Sequence, residues 1–245
     1  MIDDFTGISF FKLEKDVNGL AINDFNVFKI GDSDLVNDGE EVYLLNRLNQ
    51  VLYQHVQDVN WDLADIATNI IKDTEKNSRF MLLSAATGSD FYGSPLLNSS
   101  GEMIGILEFD HKSSREMVVP INYFKRVIGS LLRENKIKRP ALGLYYMDLS
   151  KNYGLSEEVA SNINKGALVW NSSGSAFKLK SPAKLAGLTD QDIILKIEGE
   201  EINGTKDLTS LIQDYAPNDL IKLNILRHNV VKDIEVVLGE MSGGE

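Results

Sequence analysis

Residues 181–204 read SPAKLAGLTDQDIILKIEGEEING, and the order of elements in that stretch decides how the second half of the chain folds. SPAKLAGL is a short helix that Gly187 ends. DIILKIEG is a β-branched apolar run, a strand, closed by a Gly-Glu turn. Further on, KDLTSLIQDY (206–215) is helical, and LIKLNILR and VVKDIEVVL form a hairpin joined at HNV. Upstream, ALGLYYMDL (141–149) and GALVW (166–170) are strands. Strands and two helices between about 139 and 240 make a compact α+β domain. KIKRP precedes it as a linker, with Pro140 as the stop of the helix before. Residues 241–245, MSGGE, are a small polar tail.

The first half reads differently. ISFFKL (8–13), FNVFKI (25–30), EEVYLLN (40–46), RFMLLSA (79–85), EMIGILEF (102–109) and MVVP (117–120) are strand candidates separated by turn residues. INYFKRVIGSLLREN (121–135) is the clearest helix, with Phe124, Val127, Ile128, Leu131 and Leu132 on one apolar face. Residues 55–78 admit two readings. Leu63, Ile66, Ala67, Ile70 and Ile71 fall at helical spacing with Asn60 as a cap, which favours a helix, while the β-branched content permits a strand.

With 245 residues the chain holds one or two domains. Its formal net charge of −11 argues against a nucleic-acid or anionic-membrane surface, which needs a basic stripe. The absence of cysteine removes disulfides, thiolate metal sites and cysteine nucleophiles. No run of about 18 apolar residues exists to span a membrane. Met1 is followed by IDDF, acidic where a signal peptide is basic, so an exported parent would carry its signal upstream.

The second half resembles a PDZ domain of the HtrA (DegP-like) protease family. RPALGLYYMDL, GALV, SPAKLAGLTDQDIILKIEGEEING and KDLTSLI carry the resemblance, and WNSSGSAFKLK is longer than the usual turn there. In the first half, FNVFKIGDSDLVNDGEEVYLLN resembles the lead into the second β-barrel of these proteases. GSPLLNSSGEMIGI resembles the turn and strand after the nucleophile, and VVPINYFKRVIGSLL the barrel's end. The resemblance implies a mainly β chain: a trypsin-like barrel over 1–138, mostly its C-terminal barrel with the N-terminal half-barrel largely absent, then a PDZ domain over 139–240.

The family's acyl-transfer chemistry needs a serine, a histidine base, an orienting aspartate and backbone donors for the oxyanion. The serine position maps to Tyr92, inside Asp90-Phe91-Tyr92-Gly93-Ser94-Pro95. A phenol there is bulky, and its oxygen lies beyond the attack position. Asp90 and Ser94 replace glycines of the family's turn. The aspartate position, aligned on Lys12, falls at Gly7. The histidine would lie on strands before the start of this chain. His55, His111 and His228 supply no substitute, because Asp110-His111-Lys112-Ser113-Ser114 places neighbours on diverging directions. Ser89, Ser94 and Ser99 read as turn residues.

By the same resemblance, Ala141-Leu142-Gly143-Leu144 is the loop that takes a peptide carboxylate. Tyr145, Tyr146 and Met147 continue the pairing strand, and Leu208, Leu211 and Ile212 line the groove from the helix. A side chain in place of Gly143 is expected to obstruct the carboxylate and leave the fold intact. The first expectation is a catalytically inactive protein that binds peptide C-termini or unfolded chains, with no cofactor or metal, in an extracytoplasmic compartment such as the periplasm or cell envelope. The alternatives are an active serine endopeptidase of protein quality control, or a scaffold subunit that self-associates or pairs with another chain to complete the barrel.

Overall fold

The computed structural model describes residues 1–12, 27–62, 71–111, 114–150 and 164–241. In chain order the elements are β1 (Glu41–Leu45), β2 (Val51–Asp62), β3 (Ile71–Asp73), β4 (Arg79–Leu83), β5 (Pro95–Leu97), β6 (Met103–Asp110), β7 (Arg115–Pro120) and α1 (Asn122–Glu134). There follow β8 (Pro140–Ala141), β9 (Tyr145–Asp148), β10 (Ala167–Val169), α2 (Pro182–Leu185), β11 (Ile193–Ile197), β12 (Glu200–Glu201), α3 (Leu208–Ile212), β13 (Leu220–Arg227), β14 (Val230–Val237) and β15 (Gly239–Glu240). The protein is mainly β. Its contacts divide it into Met1–Leu63 with Arg79–Gly129, and Ala64–Ser78 with Ser130–Glu245.

The first unit is a closed barrel in the order β1-β2-β4-β7-β6-β5. Period-two alternation builds its interior. Val42 and Leu44 point inward from β1, Val56 from β2, Met81 from β4, Leu96 from β5, Ile104 and Leu107 from β6, and Val118 from β7. β1 pairs on both sides, with β2 and with β5, so the barrel closes without a strand from another chain.

Three sequence expectations change here. Residues 55–62 are strand, the second half of β2, and Ile71 begins β3; the rest of the expected helix, 63–70, lies outside the described residues. Residues 8–12 and 27–30 form single bridges in place of strands, Ile2 with Ser9 and Ile30 with Met103, and residues 13, 25 and 26 lie outside the described residues. On α1 the apolar face is buried at Phe124 and Val127, whereas Leu132 is exposed.

The second unit is a sheet in the order β14-β13-β11-β10-β9-β3, with β12 beside β11 and a small β8–β15 pair. Ser181 caps α2 by accepting from the Lys184 N–H, and Gly187 follows at φ +95°. Asp207 caps α3 by accepting from the Ser210 N–H. The β13–β14 hairpin turns on His228 and Asn229, both at positive φ, a two-residue turn that suits the strand twist. Leu142, Leu144, Tyr146, Val169, Ile194, Leu208, Ile212, Ile221 and Val236 belong to one core. β3, which the sequence places between barrel strands, is the edge strand of this sheet.

Gly105 in β6 is where the barrel interior tolerates no side chain. A Cβ there would lie 2.4 Å from Val118 Cγ1 and 2.9 Å from the Val119 carbonyl oxygen. Gly105→Ala should destabilise the barrel by about 1–3 kcal/mol, read as a lowered urea midpoint with an unchanged slope. The domain expectation yields a second test. Residues 139–240 expressed alone should unfold in one cooperative transition, at a lower temperature than the same sheet in the full chain because β3 is missing.

Candidate functional site

Residues 88–94 form a tight turn against β6. Ser89–Phe91 make one turn of 3-10 helix, with the Phe91 N–H donating to Gly88 O (3.1 Å) and the Tyr92 N–H to Ser89 O (3.3 Å). Gly93 and Ser94 then join the barrel, Gly93 N–H donating to Leu107 O at 2.8 Å and Leu107 N–H to Ser94 O at 2.9 Å. The Tyr92 ring stacks on Phe109 with centroids 5.0 Å apart. Partial burial, the Glu116 charge and a hydrogen bond to Glu116 raise the Tyr92 phenol above its ordinary value, so it is neutral at physiological pH. The Glu116 carboxylate also accepts from the backbone N–H groups of Thr87 (2.6 Å) and Gly88 (3.0 Å).

No triad forms around this turn among the described residues. His111 packs edge-on against Phe109 at 5.1 Å, so the Phe109 ring bridges it to Tyr92. His55 on β2 meets the Tyr53 hydroxyl at 3.0 Å, and His228 is a turn residue of the other unit. Lys112 and Ser113 lie outside the described residues. Gly7 has φ +80° and its N–H donates to Asp3 O at 2.7 Å, closing a turn.

The second site is the edge at β9. Leu142, Leu144, Tyr146, Leu208, Leu211 and Ile212, expected as loop, strand and groove wall, are buried together in the domain core. Ala141 stands apart, paired with Gly239. Tyr145 lies half-buried under Lys178, whose Nζ is 5.5 Å from the ring centroid. The Tyr146 hydroxyl meets Thr209 Oγ1 at 2.9 Å, and full burial raises its phenol well above the ordinary value. Gly143 has φ +76°, and a Cβ there would lie 3.0 Å from Ser181 Cα. Any side chain at 143 therefore strains the loop before a ligand arrives, which corrects the expectation that the fold would be indifferent.

This edge is already paired. β3 runs antiparallel to β9, with Ile71 opposite Met147, Lys72 opposite Tyr146 and Asp73 opposite Tyr145. The next residue reaches the loop: Thr74 N–H donates to Leu144 O at 3.1 Å, and Thr74 Oγ1 accepts from Leu144 N–H at 3.2 Å. On the other side, Thr209 Oγ1 of α3 donates to Asp73 O at 3.4 Å. β3 thus lies between β9 and α3. Lys72 Nζ is buried at 2.9 Å from Asp207 and 3.5 Å from Asp148. Lys178 Nζ bonds Asp73 at 2.6 Å and Glu75 at 2.8 Å. Burial opposes its charge, but these two carboxylates prevail and raise its pKa. No sequence pattern singles out Lys72, Thr74, Asp148, Lys178, Asp207 or Thr209. Only a local cue existed, the β-branched pair Ile70-Ile71, and it carries no period.

A profile of the PDZ domain matches residues 141–238. The chain is 26% identical over 240 residues to the serine protease Do-like HtrB of Bacillus subtilis, covering 91% of this chain and 51% of that protein. It is 26% identical over 186 residues to a probable periplasmic serine endoprotease DegP-like of Bartonella henselae, covering 74% of this chain and 34% of that one. Among solved structures, the HtrA-type protease AlgW with a tripeptide shares the fold with a TM-score of 0.62 and 18% identity, covering 89% of this chain and 70% of that one. The chain is an HtrA/DegP-like serine protease homologue with a PDZ domain. It spans about half, or less, of the length of these curated relatives. No helix among the described residues is long and apolar enough to cross a membrane.

On the HtrA-like barrel, Glu108 precedes Phe109 on β6, and burial pushes its carboxyl up to about 7 from an ordinary 4.5. Between those values the folded state holds a proton that the unfolded chain releases, so stability falls as pH rises through the window. Glu108→Gln should match the parent chain near about pH 4 and exceed its urea midpoint increasingly toward about pH 8.

Proposed function

We propose that this HtrA-like chain is catalytically inactive and binds peptide C-termini or segments of unfolded chains through its PDZ domain, in an extracytoplasmic compartment. One observation carries the first part: the nucleophile position holds Tyr92, a phenol stacked on Phe109 whose backbone N–H is committed to Ser89. Acyl transfer needs a positioned hydroxyl with a base beside it, and donors left free for the oxyanion. Gly7 in a turn, in place of the orienting carboxylate, supports the same reading. The binding part rests on the PDZ match and on the strand-edge groove between β9 and α3, bounded by Leu142, Gly143 and Leu144. The HtrA-type protease AlgW, which shares the fold, was solved with a tripeptide, and this supports peptide binding by analogy. The DegP-like relatives named as periplasmic support the compartment.

Casein turnover should be absent, and a fluorophosphonate probe should label no serine at stoichiometric level. Tyr92→Ser alone should stay unlabelled, because a hydroxyl without a base and with a closed 3-10 turn is not activated. Labelling of the parent chain would overturn inactivity, and labelling of the variant would show a base and donors still in place.

A further inference from the structure

We propose that β3 with Thr74 is a resident ligand of the PDZ groove, and that peptides entering by displacing it carry a basic residue two positions before their terminal residue. This rests on the peptide-binding reading above and adds to it both a gate and a specificity.

The direction of β3 is the first argument. A strand added antiparallel to β9 delivers its C-terminal side to the 142–144 loop. β3 does so, and Thr74 arrives opposite Leu144. There its side-chain hydroxyl accepts the Leu144 N–H, the donor that a terminal carboxylate would otherwise take. The chain thereby supplies an oxygen acceptor at the end position without a chain terminus. The flanks are the second argument. Thr209 Oγ1 of α3 reaches the Asp73 carbonyl, so the segment fills the space between helix and strand. Lys178 clamps the segment from outside through Asp73 and Glu75.

Specificity follows from Lys72. Counting Thr74 as the terminal position, Lys72 is two residues before it. Its ammonium is buried with Asp207 and Asp148. A displacing peptide that brought no cation would leave these carboxylates buried against an apolar or acidic side chain. One that brought an acid would add repulsion.

The test uses the full chain and a fluorescein-labelled octapeptide ending Ile-Lys-Asp-Val with a free carboxylate. Two variants loosen the resident strand. Thr74→Pro removes both the N–H and the hydroxyl that meet Leu144. Lys178→Met removes only the outer clamp and keeps the Lys178 backbone bond to Gly143. Amide exchange at Leu144 and Tyr146 reports release without any ligand. The expected result is faster exchange in both variants, with peptide affinity at least tenfold higher in Thr74→Pro and a smaller gain in Lys178→Met. The peptide with Glu in place of Lys should lose the gain. Equal affinity in the parent chain and both variants would overturn the resident-ligand proposal while peptide binding stands. A preference for the Glu peptide would overturn the charge selection. Faster exchange with no binding of either peptide would overturn peptide binding itself, and the proposal with it.

Discussion

A sheet edge beside a helix leaves a row of backbone donors and acceptors that must find partners, and in this protein β9 meets that constraint with β3. The pairing is anchored by charge. Lys72 is buried beside Asp207 and Asp148, and Asp207 also caps α3. Removing one partner of a buried ion pair costs about 3–5 kcal/mol, because the remaining charge is left in a poor solvent. The short strand is therefore held more firmly than three residues of ladder alone would hold it. The loop at 142–144, the cap of α3 and the Tyr146–Thr209 contact all take their positions around it.

A covalently attached ligand competes at an effective concentration, on the order of millimolar for short flexible connections. A free peptide at micromolar concentration meets that competition at every encounter. A groove built this way answers to ligands that reproduce the anchor, in particular the cation, and disregards those that offer only main-chain hydrogen bonds. Main-chain bonds are the same for every sequence, so discrimination falls on the buried carboxylates.

Much of the PDZ half was legible because its signals are local. Gly187 after a short helix, the helical run at 206–215, which the structure trims to Leu208–Ile212, and the HNV stretch between two strands each fix an element within a few residues. The family resemblance assigns Leu142, Leu144, Tyr146, Leu208 and Ile212 to a peptide site, and in the structure they are buried in the domain core. β2 was harder for a physical reason. Its pairing with β4 shifts register between Val56 and Asp58 and again between Asp58 and Trp61. Each bulge breaks the period of two, and the helical spacing that competes with it comes from Leu63, Ile66, Ala67, Ile70 and Ile71, beyond the end of β2. β3 was not legible at all, since three residues carry no period and their partner lies more than 70 positions away. The exposed end of α1 at Leu132 shows the converse, a periodic stripe longer than the surface that covers it.

The barrel core and the 88–94 turn answer to different constraints. The barrel's fully buried interior is supplied by one or two residues from each strand, and of the 88–94 turn only Phe91 packs against that core. The turn is held by a fixed carboxylate. Glu116 sits where two backbone N–H groups, those of Thr87 and Gly88, already satisfy a fixed carboxylate, and its charge bears on the Tyr92 phenol. In an acyl-transfer site such donors are held ready for charge that exists only in the transition state. On the inactive reading proposed above, a carboxylate held beside Tyr92 stabilises the resting turn and would repel an oxyanion forming there.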